Sequence, residues 1–241
     1  MKTGVQLYTF RDALAQDFAG ALREIAKIGF DGVEFFPFYG SLEPEALAAL
    51  LRDLRLECAG TMFKEKDLLS GEGRAYEYAR TLNSPAVTVS MFLDFAREYP
   101  AALARMEAIG AAAAEHRCCF SYHNHWAEFA ELDGRSAMEQ LLDHTDGQNV
   151  FWEPDVCWIT RGGGDAPSLI RKYASRIRQV HLKDAIIAGD SSVTTALGRG
   201  VVPVADCLHA ARQIHAQWCI YEQDFSDDPF RDAAESLRQL R

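Results

Sequence analysis

Four side chains able to bind a metal, His123, Asp155, His181 and Glu222, each stand at the C-terminal end of a short apolar run: CCFSYH, NVFWEPD, IRQVH and WCIYE. Two imidazoles and two carboxylates without a thiolate suit a hard or borderline divalent ion, Mn2+, Zn2+, Co2+, Fe2+ or Mg2+, rather than a soft one. An ion in such a set polarises a carbonyl and steadies the enediolate left when the neighbouring proton is removed. Glu222, or a histidine of the His123-Asn124-His125 segment, is the group to move that proton. The four residues are 32, 26 and 41 positions apart, near the roughly 30 residues of one unit in an eight-unit β/α chain of this length. Each reads as the end of a successive strand, and the C-terminal ends of parallel barrel strands converge on one mouth.

The neighbours of these residues carry further chemistry. In an extended strand His123 and His125 point to one side and Asn124 to the other; His123 is the expected ligand, leaving His125 for substrate. Glu153 lies two residues before Asp155 on the same face, one layer deeper, where it either orients a ligand histidine or forms a buried ion pair. Lys183 follows His181 by two and is placed to polarise a substrate oxygen. Glu222 closes the apolar run Trp218-Cys219-Ile220-Tyr221, and an unpaired charge buried there would be costly.

The elements that must position them follow from periodicity. Strand runs GVQLY, GVEFF, LECAG, AVTVS, CCFSYH, NVFWE, IRQVHL and CIYEQ alternate with helical patterns over 18–28, 44–54, 74–82, 101–115, 135–142, 167–173, 204–215 and the last residues to 240. Ser41, Pro44 and Glu45 mark one helix start, and Gly29 a helix stop. Eight alternations predict a parallel sheet returned by helices. An open doubly wound sheet usually has a glycine-rich turn after its first strand, but Tyr8-Thr9-Phe10-Arg11 has none, so a single-domain (β/α)8 barrel over 1–241 is expected.

Bulk properties narrow the partners. A net charge of −10 disfavours nucleic acid, whose phosphates need clustered Lys and Arg, so the expected partner is a small molecule. No long uncharged stretch suggests a membrane span. The N-terminus MKTGVQLYTFRD lacks a signal peptide's apolar segment, and the six cysteines form no CxxC pair; a reduced, cytoplasmic protein is expected.

On these residues the sequence resembles the xylose isomerase-like TIM barrel family of sugar isomerases and epimerases, a superfamily that also holds inosose dehydratases and endonuclease IV. The resemblance covers nearly the whole chain: GVQLYTFRD at 4–12, GFDGVEFF at 29–36, YHNHWAEF at 122–129, EPDVCW at 153–158, RGGGDAP at 161–167, RIRQVHLKD at 176–184, LGRG at 197–200 and IYEQD at 220–224. It implies that Asp155, His181 and Glu222 bind a divalent cation and that Lys183, Gln6, Glu34 and Trp158 line a sugar pocket. Two departures stand out. The family's epimerase branch has a glutamate base where this chain has His123, and its LGxG turn often has an acidic third residue where this chain has Arg199. The expected activity is isomerisation or epimerisation of a keto-sugar or related polyol. Alternatives are a lyase, dehydratase or keto-glycoside-cleaving enzyme on the same barrel, and a non-catalytic barrel that binds sugar or supports a partner. A nuclease is disfavoured by the acidic charge. Gly162-Gly163-Gly164 and Leu197-Gly198-Arg199-Gly200 are candidate cradles for a substrate phosphate, although an unphosphorylated sugar is the expectation. The aromatic run Phe35-Phe36-Pro37-Phe38-Tyr39 is expected to form a substrate wall or a contact in a homo-oligomer.

Overall fold

Eight buried strands lie parallel in chain order: β1 (Lys2–Gln6), β2 (Gly32–Phe35), β3 (Glu57–Met62), β4 (Val87–Val89), β5 (Phe120–His123), β6 (Val150–Glu153), β7 (Gln179–Leu182) and β8 (Trp218–Tyr221). The computed structural model describes residues 1–70, 73–187 and 193–241. Neighbouring strands pair from β1 through β6, and β8 pairs with both β1 and β7. Across the remaining gap, between β6 and β7, the backbone bridges among the described residues are Trp152 with Ile177 and Asp155 with His181, with His181 N–H donating to the Pro154 carbonyl at 2.9 Å. The barrel is nearly closed, and its seam runs through two of the four candidate ligands.

Helices return each strand, as their apolar spacing requires. Phe18–Ile28 buries Ala21, Leu22 and Ile25, then stops at Gly29 with φ 100°, a conformation that glycine adopts without a Cβ clash. Pro44–Leu54 begins with proline at its first position, but Ser41 does not cap it: Glu43 precedes the helix without a side-chain bond, and Ser41 has φ 56°. The helix expected from Ala101 starts at Phe95 and carries Pro100 in its second turn, where a missing N–H deprives a single carbonyl of its partner. Arg135 and Ser136 pair with Glu131 and Leu132 in a short ribbon, and Ser136 then caps Ala137–His144.

Inward-facing side chains recur at every second residue, so Gln179, His181 and Lys183 climb the interior of β7 as Trp218, Ile220 and Glu222 climb β8. Trp218 fills the floor, and there is room for it because β2 begins with Gly32: a Cβ at that position would lie 2.8 Å from the indole and 2.5 Å from the Glu57 carbonyl. Polar layers lie above this floor, and the apolar core packs between the outer face of the strands and the helices. All six cysteines are free. Among the described residues no helix is long and apolar enough to cross a membrane.

Candidate metal centre and active site

His123, Asp155, His181 and Glu222 converge at the C-terminal mouth: each can present one ligand atom so that all four atoms lie within 4.8 Å of one another. All four are buried, none more than 7% exposed. The local reasons are distinct. His123 is the last residue of β5, in register with Glu153. Asp155 follows β6 and accepts from the N–H groups of Cys157 and Trp158 through Oδ1, starting the helix Val156–Arg161. Its Oδ2 is buried and faces the Lys183 ammonium at 3.2 Å.

Both histidines are anchored by carboxylates beneath them. Glu153 Oε2 lies 3.2 Å from His123 Nδ1, leaving Nε2 as the atom nearer Asp155, 3.9 Å from Oδ2. His181 bonds Glu34 through Nε2, and its Nδ1 lies 3.1 Å from Glu222 Oε2. A carboxylate on the outer nitrogen fixes the tautomer and raises the basicity of the inner one, so the donor set fits a divalent ion. Gln179 ties the two carboxylates together, donating to Glu34 at 3.2 Å and also to Glu153. Glu34 faces inward by ordinary strand alternation, two residues beyond Gly32, and the irregularity opposite it lies in β3, where Ala59 is the extra residue between Cys58 and Gly60. Glu34 is therefore a support beneath His181 and does not line the pocket, contrary to the expectation for it. Glu153 has both contacts considered for it: it bonds His123 and lies 3.6 Å from His181 Nε2 on the neighbouring strand.

Charge balance in this core is tight. Burial alone would lower His181, but Glu153, Glu34 and Glu222 outweigh it and hold the imidazole well above its ordinary value. Burial raises Glu153 to about 7, with the Glu34 carboxylate adding to the effect. Lys183 is not a solvated loop lysine: its ammonium lies 3.2, 3.1 and 3.2 Å from Asp155, Glu222 and Asp224, and these carboxylates overcome burial to keep it charged. Glu222 is held well below the usual carboxylate range: burial opposes this, and Lys183, His181 and His123 prevail. Asp224, which sequence reasoning missed, is pushed by burial up to about 6 despite Lys183.

A cavity of about 360 Å³ opens above the cluster, lined by Gln6, Tyr8, Phe36, His125, Trp158 and Lys183 among others, within the range of small-molecule sites. His125 Nδ1 and Trp158 Nε1 are buried there without hydrogen-bond partners among the described residues. Burial lowers His125 to about 3, helped by His123 and Lys183, so it presents a neutral imidazole. Gln6 lies on the wall with its carbonyl accepting from Tyr8 N–H at 3.1 Å. Asn124 faces away from the cavity, as strand alternation requires. Its Oδ1 accepts from Trp152 Nε1 and Asp155 N–H at 2.9 and 3.1 Å, clamping β5 to the end of β6; a buried amide at a strand end was the available signal.

Both glycine-rich candidates for an anion cradle are already satisfied. The N–H groups of Gly198, Gly200 and Val202 donate to the buried Asp184 carboxylate at 2.9, 2.9 and 3.1 Å, and Arg199 pairs with Glu235. Those of Gly162, Gly163 and Gly164 donate to the carbonyls of Trp158, Thr160 and Ile159. A larger groove of about 480 Å³ borders Gly162–Gly164 outside the barrel, but its Lys172 pairs with Glu139 and the candidate ligands lie elsewhere. In the aromatic run after β2, Phe36 and Pro37 reach the cavity, while Phe35 is buried and stacks on Tyr39 and Phe38 packs on Phe18.

Comparison with known proteins agrees with this architecture. The family model described as xylose isomerase-like TIM barrel matches residues 22–241. Inosose dehydratase of Clostridium perfringens is 32% identical over 76 residues, 32% of this chain and 25% of that protein; the match thus spans a quarter of the relative's length. Among solved structures, a sugar phosphate isomerase/epimerase of Parabacteroides distasonis superposes with TM-score 0.81 at 19% identity, covering 99% of this chain and 94% of that one. A 3-keto-D-glucoside 4-epimerase of E. coli superposes at 0.74 with 16% identity, covering 100% and 99%. At these identities the structures establish the fold.

Proposed function

The chain belongs to the xylose isomerase-like TIM barrel family, and from that premise we propose that it is a divalent-metal-dependent isomerase or epimerase of a keto-sugar or related polyol. The observation that carries this reading is the convergence of His123, Asp155, His181 and Glu222 on one point beside a cavity of sugar size, with both imidazoles braced by carboxylates. An ion held by these four residues supplies Lewis-acid polarisation of a carbonyl and its adjacent hydroxyl.

The chain's own residues do the rest. Glu222, ionised and at the rim of the cluster, accepts the proton from the carbon beside the carbonyl. Lys183 keeps its charge among three carboxylates and donates hydrogen bonds to oxygen developing negative charge. His125, neutral and with Nδ1 unpartnered, holds a substrate hydroxyl, and Gln6 and Trp158 orient the ring. Tyr8, Phe36 and Trp158 exclude water from the reacting carbons.

A second reading is supported by one observation. Epimerisation through two carboxylates needs an acidic residue opposite Glu222, and the end of β5 supplies His123 and His125 there. One carboxylate base with an imidazole opposite it also suits loss of a β-hydroxyl, the reaction named for the inosose dehydratase relative. Incubating metal-loaded protein with keto-sugars in deuterated water separates the two: isomerisation or epimerisation returns deuterated sugar, and elimination yields an unsaturated carbonyl absorbing in the ultraviolet. Bound metal that survives Glu222→Ala together with Asp155→Ala, or absence of both exchange and elimination with every keto-sugar tried, refutes the metal-enzyme reading.

A further inference from the structure

The described residues expose nine large hydrophobic side chains, and eight of them, all but Met1, lie in segments that follow the C-terminal end of a strand. They collect on the face that carries the cavity. Tyr8 and Phe92 line its wall, and Trp126 continues that wall outward through Trp158. Phe92 is 79% exposed, lines the cavity and lies 4.7 Å from the ring of His125. Trp126 is 38% exposed and lies 5.1 Å from Trp158, which is 5.6 Å from His125. Aromatic surface therefore runs without a break from His123, 5.5 Å from His125, out to solvent. The Arg161 guanidinium sits 3.6 Å from the centre of the Trp126 ring, holding that indole in place. Aromatic surface left in water beside a polar site marks a place where a ligand stacks.

The same site lacks the means to hold a phosphate. Among the described residues Lys183 is the one basic residue lining the cavity besides its histidines, and three carboxylates already surround it. The glycine N–H groups that might cradle an anion are spent on Asp184 and on the chain's own carbonyls. Arg11 at the rim donates to the backbone carbonyls of Tyr8 and Asp224. A phosphate dianion entering the cavity would meet Asp155, Glu222 and Asp224, and the guanidinium groups near its mouth, Arg11 and Arg161, lie over the Tyr8 and Trp126 rings.

Resting on the sugar-acting reading above, we propose that the substrate is a phosphate-free keto-sugar in ring form that carries an apolar planar substituent, and that Phe92 and Trp126 select it by stacking on that substituent. The sugar ring occupies the 360 Å³ cavity, with its carbonyl toward the cluster and its substituent leaving through the aromatic mouth.

The test uses the full chain loaded with Mn2+ and three compounds: methyl 3-keto-D-glucoside, its phenyl counterpart, and the 6-phosphate of the methyl compound. Binding is read by titration calorimetry and turnover by exchange in deuterated water. The phenyl compound is expected to bind about five- to tenfold more tightly than the methyl one, the gain of a favourable ring–ring contact, and the phosphate ester at least tenfold more weakly. Phe92→Ala and Trp126→Ala each move the phenyl-to-methyl ratio toward one. A phosphate ester that binds as well as the methyl compound, or a phenyl advantage that survives both substitutions, overturns the proposal. So does failure of all three compounds to bind, or a shift in sedimentation of the variants without a change in selectivity, which would assign the collar to contact between copies of the chain. Selective binding without any exchange leaves this inference standing and removes the isomerase reading; exchange of all three without selectivity does the reverse.

Discussion

Glu153→Gln tests the support beneath the metal centre. Glu153 is fully buried; one oxygen lies 3.2 Å from His123 Nδ1 and the other accepts from Gln179. A glutamine of the same shape must turn its amide one of two ways. With NH2 toward His123, two donors meet, and relief comes only when the imidazole moves its proton to Nε2, the atom that has to hold the ion. With oxygen toward His123, NH2 faces the Gln179 amide, which must then flip its own oxygen toward Glu34 and lose that 3.2 Å bond. Either way one favourable contact becomes repulsive. Loss of a partner behind a ligand histidine typically weakens metal affinity by about 10–100-fold, or roughly 1.4–2.7 kcal/mol. Competition with a chelating dye measures this, with circular dichroism melts to verify folding. A folded Glu153→Gln protein that binds Mn2+ within threefold of the parent would refute the role given to Glu153.

Three further outcomes follow from the packing. Asp184→Ala leaves the N–H groups of Gly198, Gly200 and Val202 without their acceptor; only the Val202 bond is buried, so at about 1–3 kcal/mol for a buried group left unpaired, chemical denaturation should show a loss of roughly 1–3 kcal/mol, with the two part-exposed glycine N–H groups adding less. Gly60→Ala drives a methyl into the Glu34 carboxylate and to within 2.8 Å of Gln179 Nε2, so metal affinity and melting temperature should fall together, by about 1–3 kcal/mol in stability. Burial raises the Glu128 carboxyl above 4.5 although Tyr122 donates to it. The folded protein then holds that proton where the unfolded chain has released it, and stability drains as pH rises from about 4.5 through the folded value. Glu128→Gln cannot ionise, so urea unfolding at pH 4 and pH 8 should show the difference between variant and parent shifting in the variant's favour at the higher pH; equal differences at both would refute the assignment.

Much of the site was legible in the chain because strand geometry is local. Side chains alternate with period two, so placing His123 with His125, Glu153 beneath Asp155 and Lys183 above His181 needed only the strand assignments. Eight apolar runs of 4–8 residues separated by helical patterns implied the barrel, and with it a common mouth for the last polar residue of β5 to β8. Local sequence misled where context decides a boundary: Ser41 resembles a cap, yet a positive φ removes it from that role, and the helix read from Ala101 begins at Phe95, with Pro100 tolerated in its second turn.

What the chain alone could not decide is how residues far apart in sequence share hydrogen bonds. Glu34 and His181 are 147 positions apart, and their bond exists because the pairing of β1 with both β2 and β8, and of β8 with β7, places them in one interior layer. The same closure sets Lys183 among Asp155, Glu222 and Asp224, while a short antiparallel ribbon of Asp184 and Ala185 with Thr195 and Thr194 folds the loop carrying Gly198 and Gly200 onto Asp184, turning an apparent phosphate cradle into a closed one. Residue type and spacing determined which groups face the barrel interior, since that depends on a strand's own pleat. Which carboxylate braces which histidine depends on register and closure around the whole barrel, so only the tertiary structure decided it.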